Sequence, residues 1–381
     1  MHALFVHDHK FRYVKGEMYS PGGLPNSVLS RYVDLFGKLT VIGRIIEEPT
    51  TKNSYSKIVN PKIEVVDNKK IIQLIQQADV VIARLPSNNG FKAIRLAEKY
   101  KKPYLVEIVG CVFDAYWNYG LKGRLVAIPA YLYMKSLVKN APYAVYVTKD
   151  FLQSRYPCKN RQLALSDVAL EGQKENILSA RLERIKRRQG KLVIGTTAAV
   201  DVLYKGQEYV IKAIAELKKC LPYEIEYQLV GAGDIQRLNK IAKSFGVDDC
   251  LVYKGVIPHD EIFQWLDEDV DIYIQPSIVE GLSRALLEAM SRGLPCLASD
   301  CGGNPELVEK EFLFSKKNRK KIPQKIIQQL NKLAVRETML EQAERNYKVA
   351  NEQYDKELLQ NRRADFYKAF AESCRTGIMD R

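Results

Sequence analysis

The residues best equipped for chemistry lie in the stretch 275–290, Gln-Pro-Ser-Ile-Val-Glu-Gly-Leu-Ser-Arg-Ala-Leu-Leu-Glu-Ala-Met. A strand is expected to end at Gln275, a turn carries Glu280 and Gly281, and good helix formers run on from about Leu282. Glu280 and Glu288 are eight positions apart. Eight steps of about 100° return to within roughly 80° of the same direction on a helix, so both carboxylates can face one crevice. The N–H groups of Gly281, Leu282 and Ser283 at such a helix start, with the helix dipole, form an anion site suited to a diphosphate. Glu288 can then accept hydrogen bonds from a ribose diol while Glu280 holds sugar hydroxyls. The plain alternative is one exposed carboxylate near a helix start and another on its solvent face.

Such a site needs strand ends to hold it, and the chain supplies them in two series. In the first half, β-branched runs at 3–6, 39–42, 79–83, 103–109 and 143–147 alternate with helical patterns at 28–36 and 91–100. That order predicts a doubly wound α/β domain over 1–170, with ligands at the carboxyl ends of its strands. A charged, helix-prone stretch at 171–190 reads as a linker. A second doubly wound domain is expected over 191–350, with strands at 192–197, 225–230, 251–253, 270–275 and 295–299, and a helix over 351–381 is placed to pack back on the first domain.

Composition narrows the function classes. At 46% apolar and 27% charged residues, the chain is neither disordered nor fibrous. The apolar stretch near its middle, 125–134, is far shorter than the roughly 18–20 residues that span a bilayer. MHALFVHDHKF at the N-terminus looks like a strand rather than a signal peptide, so a cytoplasmic protein is expected. The seven cysteines show neither a CxxC pair nor zinc-site spacing, which fits free buried thiols in a reducing compartment. The formal charge of +14 can attract nucleic acid, an anionic membrane surface or phosphorylated substrates. Aromatic-plus-basic nucleic-acid signatures are missing, so nucleic acid is not the expected partner. The stretch 116–140, YWNYGLKGRLVAIPAYLYMKSLVKN, carries four Lys or Arg, no acid and five Tyr or Trp. It reads equally as a segment lying on an anionic membrane, which suits a lipid-carried acceptor, and as a core-facing helix of a basic protein.

The stretch EGLSRALLEAMSRGLPCLASDCGGNPE, from Glu280 on, resembles the E-x7-E signature of retaining, nucleotide-sugar-dependent glycosyltransferases of family 4, whose fold pairs two Rossmann-like domains across a cleft (GT-B). Gly231-Ala-Gly-Asp234, GVIPHDEI at 255–262 and DIYIQPS before Glu280 stand in the order that family shows. Lys205-Gly206 is similar to its diphosphate-binding Lys-Gly, and Pro21-Gly22-Gly23 to its glycine loop. The resemblance covers 190–310 well and the first half more loosely. It implies that Glu280 contacts the donor sugar, Glu288 the ribose, Lys205 the diphosphate, Gly22 and Gly23 the donor phosphates, and the backbone near Val256 and Ile257 the base. It also implies transfer without a metal or other cofactor, because cations and a helix start stabilise the departing diphosphate. The expected partners are a nucleotide sugar and a glycan or lipid-linked acceptor, as in surface-polysaccharide synthesis.

Two positions depart from the pattern. Ala199-Val200-Asp201 stand where the family carries an arginine before the lysine, and Arg284 is the candidate substitute. Gly110 stands where many members have a histidine, and His9, in the His7-Asp8-His9-Lys10 run after the first strand, is the candidate replacement. A structural histidine in a loop would look the same. Gly302-Gly303 can shape a sugar pocket or simply turn the chain. Gly231-Ala-Gly-Asp234 does not complete a dinucleotide fingerprint, since Gln236 occupies the third glycine position. Two other classes share features with this chain. One is a sugar-nucleotide epimerase of the same architecture, although no paired acid and base for inverting a sugar carbon is apparent. The other is a basic nucleic-acid-binding protein.

Overall fold

The structure is a computed structural model that describes residues 1–381 except 53–54, 169, 171–175, 220–223 and 377–381, and except the side chain of 260. The chain divides into two compact units, Met1–Leu165 with Gln360–Arg381, and Ser166–Leu359. Both are α/β units built on a twisted, mainly parallel sheet.

The first unit contains β1 (His2–Val14), β2 (Glu17–Pro21), β3 (Lys38–Glu47), β4 (Tyr55–Lys57), β5 (Ile63–Val66), β6 (Val80–Leu85), β7 (Tyr104–Ile108), β8 (Tyr143–Tyr146) and β9 (Arg161–Ala164). The parallel order is β5-β3-β1-β6-β7-β8-β9, and β2 and β4 add an antiparallel flap to the extended end of β1. Ala3, Leu4, Phe5 and Val6 of β1 and Val80, Val81, Ile82 and Ala83 of β6 are wholly buried. Such unbroken apolar runs are what a parallel strand covered on both faces requires.

The sequence ends the first strand at residue 6, but β1 runs on to Val14. Phe11 and Val14 remain buried, and Arg12, Tyr13 and Val14 pair back on β2. His7, Asp8 and His9 fall at a register shift inside this strand. The loop position expected for His9 is therefore wrong. The helix Lys356–Thr376 begins in the second unit, and its larger part belongs to the first. There Phe370 packs against the rings of Phe36 and Tyr143, and the Tyr367 hydroxyl donates to the buried Glu107 carboxylate. Glu107 also accepts from the Tyr32 hydroxyl at 2.6 Å and from Arg84 at 2.8 Å.

The second unit contains β10 (Leu192–Thr197), β11 (Ile225–Val230), β12 (Leu251–Gly255), β13 (Ile272–Gln275), β14 (Cys296–Ser299) and β15 (Leu313–Phe314). They form one parallel sheet in the order β12-β11-β10-β13-β14-β15. The chain winds one way from β10 and the other way from β13. The gap between the carboxyl ends of those two strands is thus the switch point where doubly wound sheets take their ligands.

The described part of the expected linker is no linker. Ile177–Arg187 is a helix of the second unit, and its Arg181 is buried, donating to the carbonyls of Val270 at 2.8 Å and Leu266 at 2.5 Å. Residues 171–175 lie outside the described residues. Among the described residues, no helix is long and apolar enough to cross a membrane.

Candidate active site

Two loops leave the switch point and are held face to face. The loop after β10 passes through a single 3-10 turn, Leu203–Lys205, into Gly206, and the loop after β13 runs from Pro276 to Ser283. The Ile278 amide donates to the Tyr204 carbonyl at 2.7 Å, tying one to the other. Gly206 has φ +76°, and a Cβ there would sit 2.1 Å from the Pro276 carbonyl oxygen. Only glycine permits both the backbone conformation and the approach. Gly206→Ala is expected to lower stability by about 1–2 kcal/mol from the backbone alone, with the clash in addition; a melting temperature at or above wild type would contradict this.

The result is an ion pair at the strand ends, with Lys205 Nζ 2.7 Å from Glu280 Oε1. Gln275, the last residue of β13, donates through Nε2 to Glu280 Oε1 at 3.1 Å and to Ser277 Oγ at 2.9 Å. Its own Oε1 accepts from the Tyr273 hydroxyl at 3.0 Å, and that oxygen accepts from the Thr197 amide at 3.1 Å. Glu280 is thereby oriented from both strands. The side chains of Lys205 and Glu280 are 23% and 13% exposed, so they are reachable by a ligand yet largely removed from water. Charge interactions there are stronger than at an open surface.

From the other side the backbone of Glu280 and Gly281 is braced by the Gly302-Gly303 turn. The Gly303 amide donates to the Gly281 carbonyl at 2.6 Å, and a Cβ on Gly302 would lie 2.4 Å from the Glu280 carbonyl oxygen.

The helix expected from about Leu282 begins instead at Arg284 and runs to Ser291. Ser283 is its N-cap, buried, with its hydroxyl accepting from the Leu286 amide at 3.4 Å. Serine satisfies a first-turn amide in this way, which fixes the start two residues later. Gly281, Leu282 and Ser283 are therefore the approach to the helix, and the first helical amides belong to Arg284 and Ala285. Glu280 lies outside the helix, so helical periodicity does not relate it to Glu288. Each acid is placed by different neighbours.

Glu288 is buried on the helix, and burial raises its carboxyl above the usual range, with His259 and Arg284 pulling the other way. His259 Nε2 is 3.9 Å from Glu288 Oε1. His259 opens the helix His259–Glu268, directly behind Val256 and Ile257 in the loop after β12. Glu288 thus lies beside His259, two residues past Ile257, whereas Glu280 pairs with Lys205. Arg284 is exposed at the helix start.

In the first unit, Gly22 and Gly23 precede the helix Asn26–Phe36, and a Cβ on either would meet nothing within 4 Å. Their backbone is open. His9 is half-buried, its Nε2 2.8 Å from Ser20 Oγ, and burial together with Arg12 and Arg84 lowers its pKa to about 4. The imidazole is neutral near pH 7. Gln275, Tyr273 and Thr197 escaped the sequence reading. The signal available for Gln275 was a polar side chain closing the otherwise apolar Ile-Tyr-Ile-Gln strand. Among the described residues, no group of three or more His, Cys, Asp or Glu is placed to hold a metal ion.

Comparison with known proteins adds four findings. The model of the family described as glycosyl transferases group 1 matches residues 183–346, which include the loops of both Lys205 and Glu280. The protein CapJ of Staphylococcus aureus is 33% identical over 97% of this chain and 98% of its own length. The amylovoran biosynthesis glycosyltransferase AmsK of Erwinia amylovora is 41% identical over 22% of each chain. Among solved structures, Anabaena HepE in complex with UDP and glucose is similar in fold, with a TM-score of 0.65 at 16% identity, covering 97% of this chain and all of that one.

Proposed function

Because this chain belongs to the group 1 glycosyl transferases, we propose that it transfers a sugar, with retention at the anomeric carbon, from a nucleoside-diphosphate sugar to a hydroxyl acceptor. The observation that carries this reading is the Lys205–Glu280 pair, 2.7 Å apart at the switch point of the second unit and beside the start of the helix Arg284–Ser291. A cation next to helix amides suits a diphosphate, and a carboxylate beside them suits sugar hydroxyls.

The proposed donor site is built wholly from the second unit. Lys205 Nζ and the amides of Arg284 and Ala285 take the diphosphate oxygens. The Arg284 guanidinium supplies the second cation that Asp201 cannot. Glu280, oriented by Gln275, accepts from sugar hydroxyls, Glu288 accepts from the ribose diol, and the backbone of Val256 and Ile257 meets the base. Similarity to AmsK supports a role in assembling a bacterial polysaccharide, and the likeness to HepE, seen with UDP and glucose, supports a uridine nucleotide among the donors to try.

In the favoured mechanism the acceptor oxygen attacks the anomeric carbon on the face that the diphosphate is leaving. The carbon–oxygen bond to phosphate breaks with its electron pair on the phosphate oxygen, and that oxygen takes the acceptor proton. No metal is needed, since Lys205 and the helix start meet the developing negative charge. Glu280 as a covalent nucleophile is the competing route, and trapping a glycosyl-enzyme on Glu280 would establish it.

The direct test is thermal stabilisation by UDP-, GDP- and ADP-sugars, because a ligand bound only to the folded state raises apparent stability. Stabilisation by one of them, lost in Lys205→Ala, is expected. No response to any nucleotide sugar would remove the proposal. Donor binding should also depend on pH through Glu288. Its raised carboxyl protonates at higher pH than an ordinary glutamate, so affinity should fall earlier on acidification. Glu288→Gln should bind weakly at every pH and lose that limb of the profile; a variant profile parallel to wild type would contradict the ribose role.

A further inference from the structure

The helix Leu121–Lys139 of the first unit has two apolar faces. Gly123, Ala127, Met134, Leu137 and Val138 are buried. On the opposite side Leu121, Leu125, Ile128 and Leu132 are between 54% and 80% exposed. At about 100° per residue these four fall within an arc of roughly 60° and extend for about 16 Å. Arg124 and Lys135 flank the stripe on one side and Lys122 on the other. Trp117 and Tyr119, just before the helix, are exposed as well, and the Arg124 guanidinium lies 5.6 Å from the centre of the Trp117 ring. No Asp or Glu occurs between Asp114 and Asp150.

We propose that this face docks on an anionic lipid bilayer, with Leu121, Leu125, Ile128 and Leu132 entering the acyl boundary and Lys122, Arg124 and Lys135 meeting acidic headgroups. An exposed leucine stripe is costly in water and is stabilised where hydrocarbon begins. Flanking Lys and Arg reach outward from the stripe on flexible apolar stems, and Trp and Tyr favour the same depth. Charge decides the occupant. In a symmetric dimer through this face, Arg124 and Lys135 would meet their own copies with no acid of the segment to offset them, whereas an anionic surface complements every one of these cations. The stripe is too short to span a bilayer of about 30 Å, so the helix lies in the interface plane.

The proposal is independent of the donor site, and its test separates the two. Flotation of the full chain is measured with vesicles of phosphatidylcholine alone and of phosphatidylcholine mixed with phosphatidylglycerol, at low and physiological salt. Binding to the anionic vesicles, weakened by salt, is expected. Leu125→Ser with Leu132→Ser should lower the partition at least about ten-fold, and Lys122→Gln with Arg124→Gln roughly twenty-fold. Stabilisation by donor nucleotide should stay unchanged in both pairs, which shows that the variants are folded. Absence of flotation by the wild type at low salt, or wild-type flotation by the serine variant, overturns the proposal. So does a dimer, seen by light scattering, that the serine substitutions dissolve while the wild type ignores vesicles.

Discussion

Lys205→Ala is expected to lower kcat/KM for sugar transfer by on the order of 10²–10³, the range seen when one preorganised group facing developing charge is removed. The loss should fall on kcat as well as KM, because negative charge on the diphosphate grows as the bond to the sugar breaks. Glu280→Gln should cost a similar factor for a different reason: it keeps the shape and the contact with Gln275 but removes the charge-assisted acceptor for sugar hydroxyls. The two residues form one ion pair, so their effects should not multiply. The double variant is expected to lose clearly less than the product of the single losses. Steady-state kinetics on the four proteins, with far-ultraviolet circular dichroism as a check of folding, decides this. Strict multiplicativity would mean that the pair does not act as a unit, and full activity in Lys205→Ala would place the diphosphate elsewhere.

The second large effect concerns stability. Glu107, the penultimate residue of β7, is 4% exposed and gathers donors from Tyr32, Arg84 and Tyr367. Glu107→Ala should destabilise the first unit by about 3–5 kcal/mol, because a partly buried guanidinium and two hydroxyls lose a shared acceptor at once. Tyr367→Phe removes one hydroxyl and keeps the packing, so about 1–2 kcal/mol is expected. Urea unfolding followed by fluorescence gives both numbers. A Glu107→Ala cost no larger than that of Tyr367→Phe would show that the carboxylate does not organise this cluster.

Much of the architecture was legible where physics writes it into sequence. In the second unit, strands such as 192–194 and 272–274 carry short apolar runs, the mark of a sheet covered on both faces. Near the site, reading was harder. Glu280 and Glu288 drew attention by their spacing, yet the relation between them is not helical. The informative residue was Ser283, whose preference for the N-cap position places the helix start after it. His7-Asp8-His9-Lys10 has the polarity of a solvated loop, and nothing local reveals that a flap of later residues pairs with the far end of β1. The region 171–190 read as linker from its charge, but Arg181 is a buried donor to three backbone carbonyls. Gln275 was missed because its value lies in contacts to Tyr273 and Glu280 that only the folded loops create.

The ownership of the C-terminal helix sets an order of events during synthesis. The second unit is a continuous segment, Ser166–Leu359, and its whole sequence is translated before the final helix is complete. The first unit, although its strands are made earliest, waits for Tyr367 and Phe370 to cover Glu107, Phe36 and Tyr143. A chain truncated after Leu359 should therefore keep a protease-resistant second unit, with a first unit whose apolar surface is still open to chaperones.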